Sequence, residues 1–140
     1  MKTNNECIRK ILQIVETIPC KASMTVLELH EKIPEYSIEE VIAMVTILNR
    51  EHFIMIVDKA GYNDSDVFSE NRIKCLTERG YRTLDVIRED QIWNLMKEKL
   101  VNFQDMSFFM IISIASKIIN DKHNCLFNLN SNLNIDYSRW

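Results

Sequence analysis

Only two glycines, Gly61 and Gly80, occur in the chain, so it has no glycine-rich loop to cradle a phosphate, and a nucleotide-using enzyme is not expected. Histidine is equally sparse. His30, His52 and His123 fall in three separate segments, and His123 with Cys125 offers two metal ligands where four are needed. The four cysteines, Cys7, Cys20, Cys75 and Cys125, lie far apart with no Cys-x-x-Cys, which argues against a zinc ribbon and against a dense disulfide framework. Reduced, mostly buried thiols are the expectation. No cofactor and no metal are expected. The amino-terminal MKTNNECIRK lacks the apolar core of a signal peptide, and no window approaches the roughly 18 apolar residues of a membrane span. A soluble, cytoplasmic protein is the resulting expectation. Positive charge is also short, because the net charge is -3, whereas a protein drawn to nucleic acid over long range carries a basic footprint.

What the sequence has is apolar residues, 46% of 140, enough for one compact domain with a real core. Ser37 to Val57, SIEEVIAMVTILNREHFIMIV, organises the rest. Ile38, Val41, Ile42, Val45 and Leu48 recur on one helical face, and Ser37 with Glu40 forms a capping box. From Phe53 to Val57 the run becomes aromatic and β-branched, as in a strand. Upstream, Ile8, Ile11, Leu12, Val15 and Ile18 make an amphipathic helix over Cys7 to Ile18, which Pro19 closes. Thr25 to His30 suits a short helix from Ser23 or a strand, with helix preferred, and Pro34 ends that segment.

Downstream, Asp58 to Asp66 reads as a hairpin tip and Asn71 to Leu76 as the return strand, with Ile73 and Cys75 toward one face. Thr77 caps a helix bearing Tyr81, Leu84 and Ile87, and a second helix follows from Asp90 to Val101 with Ile92, Trp93, Met96 and Leu100 aligned. Ser107 caps a nearly all-apolar helix ending near Asp121, and an asparagine-biased tail completes the chain. The expected fold is mainly α with a small β-hairpin, a winged helix-turn-helix plus C-terminal helices. Its expected parts are residues 1–103 as the winged-helix domain, 104–121 as an apolar dimerisation helix and 122–140 as the tail.

Lys74 to Leu100 carries a further signal. Leu76, Thr77, Gly80, Leu84, Asp85, Ile87, Arg88, Asp90, Trp93 and Lys97 match a pattern R-L-T-x-x-G-x-x-x-L-D-x-I-R-x-D-x-x-W-x-x-x-K, in which Cys75 stands at the leading arginine. Ile8 to Leu12 and Tyr36-Ser37-Ile38-Glu39-Glu40-Val41 fit two further blocks. In these residues the chain resembles a small bacterial and phage family of unknown function, over roughly residues 5 to 120. The resemblance implies a winged-helix fold and residence in phages or prophages of low-GC Gram-positive bacteria. It implies no activity.

A winged helix places its second helix in the major groove and its wing beside the backbone. Here the outward face of that helix carries Glu39, Glu40, Ala43, Thr46, Ile47 and Arg50, and the hairpin tip carries Tyr62, Asp64 and Asp66, so phosphate would meet carboxylates. Basic surface could come instead from Arg9, Lys10 and Lys21, or from Arg79, Arg82 and Arg88. The expected function is therefore non-enzymatic protein binding by a phage accessory protein, for instance an acidic inhibitor of a host defence protein. A DNA-binding transcriptional regulator is the alternative. The helix after Ser107 needs cover on two sides, so a homodimer is expected through Phe108, Phe109, Ile111, Ile112 and Ile118, unless the tail folds over it.

Overall fold

The structure is a computed structural model that describes residues 3–57 and 67–131, the last ten of these by their backbone alone. It is mainly helical with one small antiparallel sheet. The elements run α1 (Asn5–Glu16), β1 (Met24–Thr25), α2 (Val26–Lys32), α3 (Ile38–Arg50), β2 (Ile54–Val57), β3 (Arg72–Leu76), α4 (Glu78–Ile87), α5 (Asp90–Lys99), a 3-10 turn (Phe103–Asp105) and α6 (Phe108–Ser131). They fall into two compact units divided within α4, between Asp85 and Val86, whereas the sequence reading placed its boundary after residue 103.

In the first unit α1 lies against α3 and β3, and α2 against α3. Asn4 starts α1 by accepting from the Cys7 amide at 3.0 Å, and its own amide group donates to Glu40 Oε2 at 2.8 Å. That second bond changes the expected cap of α3. Ser37 Oγ accepts from the Glu40 amide at 3.1 Å, but the Glu40 carboxylate turns to Asn4 and not back to Ser37, so only half of the capping box forms. The full reciprocal box is at α2, between Thr25 and Glu28, and these bonds hold the Glu28 carboxyl below its ordinary range. The segment left open between helix and strand is therefore both, with the cap at Thr25 and not Ser23.

β1 makes the sheet three-stranded, in the order β1-β3-β2, where the sequence showed only a hairpin. Two residues are too short to display an alternating pattern. Between β2 and β3 the pairing is Met55 with Cys75 and then Ile56 with Ile73, which leaves Lys74 as an extra residue. This bulge resolves a conflict of faces. Ile73 and Leu76 are three apart and would point to opposite sides of a regular strand, yet both are buried, while Cys75 is only half-buried. The expected pairing of Ile73 with Cys75 on the inner face is thereby corrected.

On α3 the buried residues are Val41, Met44, Val45 and Leu48, so the inner face is turned toward Met44, and Ile38 and Ile42 stay half-exposed. On α4 the buried residues are Gly80, Thr83, Leu84 and Ile87, and Tyr81, expected inside, is 44% exposed. In the second unit Ile92, Trp93 and Met96 of α5 are buried with Phe103, Phe108, Ile111 and Ala115. Ser107 Oγ accepts from the Met110 amide at 3.2 Å, the cap read from sequence, but α6 continues past Asp121 as far as Ser131.

Of the three cysteines whose side chains are described, only Cys7 is buried. Cys75 is half-buried and Cys20 is exposed, against the expectation of mostly buried thiols. Burial, with the nearby charges of Glu40 and Glu35 adding to it, pushes the Cys7 thiol up to about 12. Native-state alkylation with iodoacetamide at mildly alkaline pH, read by peptide mass, should label Cys20 and spare Cys7. The raised value also has a sign for stability. The unfolded thiol ionises first, so its contribution is intact below about 9 and falls away between there and about 12.

Candidate binding surface

The outward face of α3 runs from Glu39 to Arg50, twelve residues that span about 17 Å along the axis. Glu39 and Arg50 are exposed at its two ends, and Glu40, Ala43, Thr46 and Ile47 are half-buried between them. Two of the polar groups are already engaged. Glu40 accepts from Asn4, and Thr46 Oγ1 donates to the Ile42 carbonyl at 2.7 Å. What this face can offer a partner is a shallow apolar strip of Ala43 and Ile47 with a carboxylate at one end and a guanidinium at the other. Tyr62, Asp64 and Asp66, assigned to the same surface from sequence, lie outside the described residues.

The far end of α3 is held by a junction that sequence reasoning did not assemble. After Arg50 the chain turns at His52, which takes a left-handed conformation with φ 63°, and enters β2 through the buried Phe53. The first turn of α4 closes over this turn. The Thr77 amide donates to the Phe53 carbonyl at 3.0 Å, and Thr77 Oγ1 donates to the His52 carbonyl at 2.5 Å while accepting from the Gly80 amide at 3.1 Å. Arg79 stacks its guanidinium 4.7 Å from the centre of the Phe53 ring and donates to the Glu51 carbonyl at 3.0 Å. Gly80 has no side chain because the Phe53 carbonyl occupies the place of one: a Cβ there would overlap the carbonyl oxygen and stand 3.1 Å from its carbon. The signal that could have found the junction was the Leu76-Thr77-x-x-Gly80 spacing, which a helix cap alone does not require.

Electrostatics narrow what the surface can bind. Lys10 Nζ is 2.6 Å from Glu35 Oε2 and 5.6 Å from the centre of the Tyr36 ring; the hydrogen bond raises the lysine and lowers the carboxyl from their ordinary values. Arg9 is buried. Arg79 is spent on the junction, and Arg82 lies 3.9 Å from Glu78. The remaining basic residues of the two clusters named from sequence, Lys21 and Arg88, are exposed. Of the residues assigned to a dimer, Phe108 and Ile111 are buried within the protomer, Phe109 is exposed, and Ile112 and Ile118 are half-exposed.

Neither a curated protein nor a solved structure matches this sequence. A family model described as a hypothetical protein family, DUF2513, matches residues 2–106, which takes in α1 to α5 and the 3-10 turn and stops short of α6. With three quarters of its length inside that match, the chain belongs to the DUF2513 family of hypothetical proteins.

Proposed function

We propose that the chain is a non-enzymatic winged-helix module that binds another protein through the outward face of α3, as an accessory protein of a phage or prophage acting in the host cytoplasm. The order α1-β1-α2-α3-β2-β3 with sheet order β1-β3-β2 supports the winged-helix reading. The observation that carries the choice of a protein partner is the engagement of cations within the chain: Arg9 is buried, Lys10 is paired with Glu35 and Arg79 is bonded to the Glu51 carbonyl, which leaves Lys21, Arg82 and Arg88 as the remaining exposed members of the two basic clusters. A DNA-tracking surface needs several cations directed at phosphate, and Glu39 at the leading end of α3 opposes one. A host protein with a basic surface, such as a nucleic-acid-binding defence protein, has the complementary charge.

Fluorescence anisotropy of random duplex DNA with the purified chain, at about 50 and 200 mM salt, tests this reading. The expected result is no binding at either salt. Binding at low salt that collapses at high salt would overturn it in favour of a DNA-binding regulator. Glu39→Lys is the informative variant, since Glu39 is exposed, whereas changing Glu40 would also break its bond to Asn4.

A further inference from the structure

We propose that the outward face of α3 is closed, in the free protein, by the same face of a second copy packed antiparallel, so that a protein partner must displace that copy. This cover rests on the reading of the face as a docking surface and governs access to it. At about 100° per residue, Glu39, Ala43, Thr46 and Arg50 fall within about 60° of one another, opposite the buried Val41, Met44, Val45 and Leu48. They form one ridge. Glu39 and Arg50 are its exposed ends, about 17 Å apart along the axis, too far for either to neutralise the other within one copy. Among the described residues, neither is held in an ion pair.

Reversed end to end, this ridge is its own complement. When two copies run antiparallel about a two-fold axis between Met44 and Val45, Glu39 of each lies level with Arg50 of the other, and Ala43 of each with Thr46 of the other. Both ion pairs form together. Only small side chains stand at the centre, and the Thr46 hydroxyl is already bonded to the Ile42 carbonyl, so the two helices can approach without stranding a polar group. The same axis sets Ile47 beside Ile47 and Ile42 beside Ile42, all half-exposed in a single copy. A parallel pair would oppose Glu39 with Glu39 and Arg50 with Arg50. A surface of one sign answers only one end of the ridge, whereas a second copy answers both. The strip is short, so the association is weak and a partner with a larger footprint displaces it.

Sedimentation velocity of the full chain under reducing conditions at about 50 mM salt, from about 1 to 100 µM protein, provides the test. The wild type should self-associate within that range. Glu39→Arg and Arg50→Glu should each weaken the dimer by about tenfold, because each reversal acts at two symmetry-related pairs. An equimolar mixture of these two variants should regain the wild-type affinity, since both cross-pairs are again of opposite sign. Ala43→Gln keeps a good helix former but sets a long side chain at the two-fold axis; it should weaken the dimer about as much, and it remains informative if a charge reversal fails to fold. A wild type that stays monomeric at 100 µM would overturn the proposal. So would a dimer indifferent to these variants, or a mixture that does not recover. Each of these results leaves the protein-binding reading of α3 standing, because that reading falls only with DNA binding in the anisotropy titration.

Discussion

Gly80→Ala should lower stability by about 3 kcal/mol, despite improving the helix in which it sits. Two effects oppose one another. Alanine gains about 1 kcal/mol over glycine in a helix interior. Against this, the new Cβ would fall on the Phe53 carbonyl oxygen, a backbone atom fixed at the start of β2, and it would sit 3.1 Å from the carbonyl carbon and 3.3 Å from Leu76 Cβ. Relief requires α4 to draw back. That movement stretches the Thr77 bonds to the Phe53 and His52 carbonyls and the Arg79 bond to Glu51. Overpacking costs roughly 1–3 kcal/mol and each weakened hydrogen bond about 1 kcal/mol, so the clash wins. A domain of this size loses about 4 °C or more per kcal/mol, and circular dichroism should show the melting temperature fall by about 10 °C or more. A rise in melting temperature would mean that helix propensity governs this position and that the junction is looser than described.

Trp93→Ala should have the largest effect on the second unit. Trp93 is 1% exposed, and its ring meets Phe103 edge-on, with centroids 5.2 Å apart and planes at 88°. Removing an indole from a packed site costs about 3–5 kcal/mol, the transfer of the lost atoms plus the cavity they leave. Among the described residues, Ile87, Ile92, Met96, Phe103, Phe108, Ile111 and Ala115 are the other buried apolar residues of that unit. Hydrogen exchange should show α5 and the first turns of α6 losing protection by about a hundredfold to a few thousandfold, the equivalent of about 3–5 kcal/mol. Unchanged protection there would place Trp93 outside the core of its unit. Trp93→Phe should retain most of the protection.

The helices were legible because each shows its own period and punctuation. Ser37 and Thr77 cap the elements they were read to cap, Pro19 follows the end of α1, and Ile92, Trp93 and Met96 share a face. What escaped depends on residues distant in sequence. Asn4 draws the Glu40 carboxylate from its expected bond, β1 exists only through its pairing with β3, and Lys74 bulges so that Ile73 and Leu76 can both point inward. Tyr81 shows the same limit in reverse. It fits the apolar stripe of α4, but Gly80 and Thr83 take the inner positions because α4 sits directly on the Phe53 carbonyl. In the candidate surface the identity of the outward residues of α3 was legible, whereas the internal pairing of the nearby cations was not, since Lys10 and Glu35 are remote from one another in the chain.

The central place of β3 in its sheet has a consequence for synthesis. β1 and β2 do not pair with each other, and both wait for a strand that ends at Leu76. Met24 meets Ile73 across most of the unit, a late and non-local closure. α1 likewise lies on β3. On the ribosome, then, the three leading helices emerge with much of their apolar surface uncovered, and the unit can close only once the segment through Thr77 and Gly80 has cleared the exit tunnel. A chain interrupted between α3 and β3 is consequently not a smaller version of this domain but a set of helices exposed to chaperones and proteases.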